Sequence, residues 1–181
     1  MRYAKTVLLT GGAELLVRNA VASDACALRD VMQRTHAQTD YLLSYPDEQS
    51  GDDEQEARSL EETERSGNEV ELVAVVDERI VGSAGITAVG GKRKVGHRAR
   101  FGISVLQEYW GMGIGRVLME TCIGCALRAG YAQLELEVVA DNERALSLYR
   151  RAGFEEYGRN PRGYRSVAAG YQELVHMRLE L

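Results

Sequence analysis

The stretch Tyr109-Trp110-Gly111-Met112-Gly113-Ile114-Gly115-Arg116-Val117-Leu118-Met119-Glu120 has the makings of an anion-binding turn. Three alternating glycines stand where an extended apolar segment, Phe101 to Leu106, gives way to a helical pattern. Glycine lets peptide N–H groups turn outward with no Cβ to hold a ligand away. A helix beginning there adds unpaired N–H groups and a partial positive charge. The chemistry this suits is the holding of a phosphate or pyrophosphate. Downstream come two carboxylates that alternate on one strand, Glu135 and Glu137, then Asn142 and Tyr149 on a helical pattern. A carboxylate can take a proton and a phenol can give one.

The elements that must position these groups follow from periodicity. Lys5–Leu9 and Glu14–Arg18 flank Thr10-Gly11-Gly12 as a hairpin-like entry. Ser23-Asp24 is a helix start, with Ala27, Leu28, Val31 and Met32 at helical spacing, and that helix is expected to reach about Thr39. A loop from Tyr41 to Gly51 leads to an acidic helix that begins at Asp52 or Asp53 and ends at Ser66-Gly67. The period then shortens. Val70–Val76, Ile80–Val89 and Val95–Leu106 read as a meander of three strands, the first two joined by a tight turn at Asp77-Glu78. Gly113–Ala129 reads as a helix capped by Gly130, Leu134–Val139 as a strand, Asn142–Ala152 as a helix stopped by Gly153, and Glu155–Tyr157 and Leu174–Leu181 as the last strands. Antiparallel strands first and one β-α-β crossover later predict an α/β (α+β) fold, with a mixed, mostly antiparallel central sheet and helices on both faces.

That order decides between readings of the glycine turn. A dinucleotide fingerprint needs G-x-G-x-x-G, and Arg116 holds the third glycine's place. It also needs a parallel β-α-β unit early in the domain, where this chain has antiparallel strands. A plain turn without a ligand stays open on the glycines alone. The block Asn142-Glu143-Arg144-Ala145-Leu146-Ser147-Leu148-Tyr149-Arg150-Arg151-Ala152-Gly153-Phe154 adds the second half of a pattern. Together the two stretches resemble the GNAT superfamily of N-acetyltransferases, whose cofactor motif is [Q/R]-x-x-G-x-[G/A] and whose second block is N-x-x-A-x-x-L-Y-x-x-x-G-F. Asn142, Ala145, Leu148, Tyr149, Gly153 and Phe154 match the block throughout, and Trp110 departs from the Gln or Arg that usually opens the first motif. The resemblance covers about Leu72 to Phe154.

The resemblance implies the GNAT fold and direct transfer from acetyl-CoA to a primary amine, with no metal. It implies that pantetheine amides pair with the backbone of Ile103, Ser104 and Val105 as an added strand. The pyrophosphate would rest on the N–H groups of Gly111, Met112, Gly113, Ile114, Gly115 and Arg116. A backbone N–H near Val105 would face the oxyanion. Tyr149 would give a proton to the departing thiolate, and Asn142 would cap its helix, bond pantetheine, or do both. An alkylammonium titrates near ~10, so a base is needed before attack. Glu137 is the candidate, with Glu135, His97 or a water chain as alternatives. Arg100 occupies a place where many relatives carry an acid. A small-molecule acceptor is expected, because the chain has acceptor-side helices of its own; a protein N-terminus or lysine is the alternative. Pairing of two copies through Leu174–Leu181 is expected by analogy with the superfamily. A non-catalytic acyl-CoA-binding module is a different class that the same motifs allow.

Composition bounds the rest. A chain of 181 residues fits one domain, 1–181, and can bury a core without staples. A net charge of −5 argues against a general nucleic-acid binder. No apolar run approaches the ~18–20 residues of a membrane span, and Val7-Leu8-Leu9 is too short for a signal core, so a cytoplasmic protein is expected. Cys122-Ile123-Gly124-Cys125 falls deep in a helix on its apolar face, which predicts packing and not redox or zinc chemistry. Lys92-Arg93-Lys94 with Arg98 and Arg100 reads as a charged strand connection that could also meet an acidic substrate or another subunit, and the acidic run from Asp47 to Glu64 as a solvated face that could also draw a cationic amine or polyamine.

Overall fold

A computed structural model describes residues 2–49 and 51–181. The chain runs β1 (Ala4–Leu8), β2 (Glu14–Asn19), α1 (Ala25–Gln38), α2 (Asp53–Arg65), β3 (Val70–Val76), β4 (Arg79–Ala88), β5 (Arg98–Val105), α3 (Ile114–Ala129), β6 (Gln133–Val139), α4 (Glu143–Arg151), β7 (Glu155–Ser166) and β8 (Gly170–Glu180). All eight strands form one sheet in the order β1-β2-β3-β4-β5-β6-β8-β7. Neighbours are antiparallel except β5 and β6, which the crossover helix α3 makes parallel. The expected class and element order hold.

Local chemistry explains the boundaries. Asp77 and Glu78 form the two-residue β3–β4 turn with φ of 48° and 62°, the mirror-image turn that matches strand twist. Asp52 starts α2 by accepting from the Gln55 N–H at 2.8 Å. Asp24 does not cap α1 in that way. Its carboxylate accepts from Arg18 and from the Val21 N–H instead, and the Arg18 guanidinium holds its carboxyl below the usual range. β5 begins three residues later than expected, because Val95 N–H bonds the Lys92 carbonyl and Arg98 N–H bonds the Val95 carbonyl in a turn. β7 is much longer than Glu155–Tyr157; it and β8 make a long hairpin whose register slips at Glu156/Gly158 and at Asn160/Tyr164. β8 is paired on both edges, to β6 and to β7. The edge strand at this end of the sheet is therefore β7, and Leu174–Leu181 presents no free edge for a second copy.

The core has two parts. On one face α3 buries Ile114, Leu118, Met119, Cys122 and Cys125 against Leu72, Ile86, Phe101 and Leu134. Burial pushes both of those thiols up, so the C-x-x-C pair is packing. On the other face α1 and α2 cover Val73 with Leu28 and Leu60. Those two helices lie against β3, β4 and β5. No helix among the described residues is long and apolar enough to cross a membrane.

Candidate functional site

β5 and β6 pair at only three positions, Arg98 with Gln133, Ala99 with Leu134 and Arg100 with Glu135. Beyond Arg100 the two strands part, while β5 stays paired to β4 as far as Val105. Alternation along β5 says which backbone groups face the gap. The Leu106 N–H donates to the Val81 carbonyl, and the Arg98 carbonyl accepts from Val89, so even-numbered residues of β5 bond β4. The N–H and C=O groups of Phe101, Ile103 and Val105 consequently face the gap, and those of Ser104 face β4. Of the three residues expected to pair with pantetheine, Ser104 can do so only through its side chain.

The gap widens into a cleft of ≈ 1840 Å³. That exceeds the ~300–1,000 Å³ of an ordinary small-molecule site and leaves room for two ligands. Its one end is the glycine turn. Gly111 and Gly113 have φ of +83° and +90°, and Gly113 is the N-cap of α3. A Cβ on either would meet nothing within 4 Å. Backbone conformation alone therefore demands glycine here, and the space beside each is open. Ile103, Ser104, Val105, Gly111, Gly113, Ile114, Gly115, Arg116, Asn142 and Tyr149 all border the cleft. Met112 does not; its side chain packs on the main core, so only its peptide could serve. Trp110, the departure from the usual motif, turns its indole N–H onto the Val105 carbonyl at 2.7 Å. Arg144 stacks on that indole, 4.9 Å from the ring centre. The bulky side chain thus fixes the end of β5 and takes one of its acceptors, leaving the Val105 N–H aimed at the gap.

Asn142 accepts from the Ala145 N–H at 3.1 Å and caps α4. Two turns on, Tyr149 stands edge-on to Phe101, with ring centres 6.2 Å apart. Its ring is buried, yet no polar atom in the described residues is buried without a partner, which puts its hydroxyl at the cleft surface. Burial raises the phenol well above its ordinary range, so it stays protonated and has a proton to donate.

The other end of the cleft is charged. Glu135 and Glu137 share a face, as expected from alternation, but their roles differ. Glu135 is buried and held by both arms of Arg98 and by Gln133, which lowers its carboxyl below the usual range. It is unsuited to take a proton. Glu137 is exposed, borders the cleft and lies 3.4 Å from His176 Nδ1 across the β6–β8 ladder. His176 and the aromatic Tyr157 beside it, 5.9 Å between ring centres, were not among the expected site residues. Alternation in β8 marks His176 as facing one side of the sheet, but only the register brings it to Glu137. His97 lies in the turn before β5, away from the cleft, where its carbonyl accepts from Ala132 and Gln133. None of the acidic residues from Asp47 to Glu64 borders the cleft. The loop after α1, whose Tyr41, Leu42 and Leu43 border the cleft, is tied to the β7–β8 hairpin: Ser166 donates to Asp40, the Val167 N–H donates to the Tyr45 hydroxyl, and Gln172 donates to the Asp40 carbonyl.

An open β5 edge that leads to a glycine turn is the arrangement the resemblance implies, and the family comparison agrees: the acetyltransferase (GNAT) family profile matches residues 33–154. The chain belongs to that family. Among solved structures, an acetyltransferase of the GNAT family from Streptococcus pneumoniae superposes with a TM-score of 0.89 at 28% identity, over 92% of this chain and 99% of that one. Ribosomal-protein-alanine N-acetyltransferase from Brucella melitensis gives 0.81 at 25%, over 91% and 99%. In sequence, the N-alpha-acetyltransferase RimI of Mycobacterium tuberculosis is 38% identical over 90 residues, 50% of this chain and 54% of that protein. The mycothiol acetyltransferase of Jonesia denitrificans is 40% identical over 76 residues, 42% of this chain and 23% of that protein. The matches thus span between about a quarter and about half of these curated relatives.

Proposed function

We propose that this GNAT chain, read as one domain over 1–181, is an N-acetyltransferase that moves the acetyl group of acetyl-CoA directly to a primary amine. The observation that supports it most is the parting of β5 from β6, with the gap-facing backbone of Ile103 and Val105 leading straight to the open glycine turn. Acetyl-CoA, when bound, supplies an activated acyl group on sulfur. The N–H groups from Gly111 to Arg116 would hold its pyrophosphate, and Ile103 and Val105 its amides. Glu137 takes a proton from the acceptor ammonium and so frees the nitrogen lone pair. The Val105 N–H holds the carbonyl oxygen as the C–N bond forms. Tyr149 gives its proton to the sulfur as the C–S bond breaks, and the second proton lost by the nitrogen restores the phenol through water, which leaves an amide and a free thiol.

We take the acceptor to be a small molecule, because Tyr41, Leu42 and Leu43, in the loop that the Asp40–Ser166 clasp holds, border the cleft and narrow it. The second reading, a protein N-terminus, draws on the likeness to the N-alpha-acetyltransferase RimI. A cytoplasmic location suits the three free thiols, Cys26, Cys122 and Cys125. Acetyl-CoA at 100 times its Kd should stabilise the protein by about 2.7 kcal/mol. The melting temperature should then rise by roughly 5–10 °C. An unmoved melting curve sinks the proposal. Thiol release across a panel of amines, amino acids and peptide N-termini then sorts the acceptors. Glu137→Gln should lower kcat/KM by about 10–100-fold at neutral pH and leave the acetyl-CoA shift intact. Unchanged turnover would remove Glu137 as the base.

A further inference from the structure

We propose that the acceptor end of the cleft takes an amine that also carries a carboxylate: the ammonium beside Glu137, the carboxylate on Arg100, and the carbon skeleton over Gly102. The proposal rests on the acetyltransferase reading and adds the acceptor's class.

The sheet register supplies the layout. Arg100 lies opposite Glu135, so Arg98, Arg100, Gly102 and Ser104 of β5 share a face with Glu135 and Glu137 of β6. Through the β6–β8 pairing His176 and Arg178 join that face. The charges bordering the cleft there are matched, with one exception. Arg98 is held by Glu135, whose two oxygens are both engaged, and Glu137 is beside His176. Arg100 borders the same cleft, feels Glu135 only at longer range, and has no ion pair within 4.0 Å among the described residues. A guanidinium offers paired donors in the geometry of a carboxylate.

Gly102 is the second observation. It lies two residues beyond Arg100 and borders the cleft. Its φ is not in the left-handed region, and a Cβ there would meet nothing within 4 Å. Neither backbone nor packing calls for glycine at this place. Its β4 partner Gly85 is different, since a Cβ there would collide with the Glu71 carboxylate. Across Glu137 and His176 the row ends at Gly158, where a Cβ would again meet nothing. The Glu137–His176 pair therefore stands between two stretches of bare sheet. Along β5 the floor at Gly102 is ~7 Å from Arg100, and Glu137 stands across the opening gap, farther to the side than the ~4.8 Å of a paired strand. With the reach of the two side chains, these distances fall within a short amino acid.

The test uses the full chain saturated with CoA and measures binding by calorimetry. The probes are L-alanine against L-alaninamide and 4-aminobutyrate against butylamine. At least one acid should bind about tenfold tighter than its carboxylate-free partner. Arg100→Gln should abolish that difference, and Gly102→Val should weaken the acid by at least the same factor, while both variants keep the melting shift with acetyl-CoA. Equal or absent binding of acid and partner, tighter binding of the amide, a preference that survives in Arg100→Gln, or an unaltered affinity in Gly102→Val overturns the proposal. Loss of the acetyl-CoA shift in the unaltered chain is a separate result and overturns the acetyltransferase reading itself.

Discussion

Tyr149→Phe is expected to lower kcat by about 10²–10³-fold, the scale of losing a positioned acid. Acetyl-CoA should still raise the melting temperature as in the unaltered protein. The two readouts separate because the ring and the hydroxyl do different things. The ring packs edge-on to Phe101 and beside Phe154, and phenylalanine keeps both contacts. The hydroxyl reaches the cleft, so its removal leaves no unpaired buried group behind and stability should change by less than ~1 kcal/mol. Since burial raises the phenol, no ionisation of Tyr149 should appear in the pH–rate profile across the neutral range. A variant with full turnover would mean that water or another group protonates the thiolate, and a protein with no turnover before or after the change would favour an acyl-CoA-binding module.

Gly113→Ala should injure both stability and coenzyme binding. At φ +90° a Cβ is strained whatever the surrounding space, at a cost of about 1–3 kcal/mol. For a chain of this size that lowers the melting temperature by roughly 2–12 °C. The strain is relieved only by turning the peptide, and the peptide N–H groups at this turn are the proposed pyrophosphate ligands. The acetyl-CoA Kd should therefore rise by at least about tenfold, the equivalent of one charge-assisted hydrogen bond. Gly124→Ala is the contrast. Gly124 sits inside α3, and a Cβ there makes only an ordinary contact with Arg128 at 3.5 Å. That change should stabilise the helix by up to ~1 kcal/mol and leave acetyl-CoA binding alone. If both substitutions behave alike, the turn is a plain connection and holds no anion.

Much of this architecture is legible in the chain because local chemistry and tertiary structure agree. The run Val70–Val76 is β-branched and buried, and the strand has those bounds. Asn142, Tyr149 and Gly153 announce the start, buried face and stop of α4, and the structure uses them so. What stayed hidden depends on register. Glu135 and Glu137 look equivalent in sequence, and only the pairing of β5 with β6 gives the first to Arg98. His97 looks adjacent to the chemistry, yet it sits at the closed end of β5, some eight residues from the end that opens. β7 is masked by Gly158, Pro161 and Gly163, residues that normally interrupt strands and here coincide with slips in the ladder.

The three rungs between β5 and β6 have a mechanical consequence. Past Arg100–Glu135 the two halves of the sheet share no rung, and it is α3, with Phe101 of β5 and Leu134 of β6 in one core, that keeps them together. A ligand bonded along the open edge of β5 would act as a splint there, extending the backbone hydrogen bonding of the sheet beyond the point where the chain's own ladder stops.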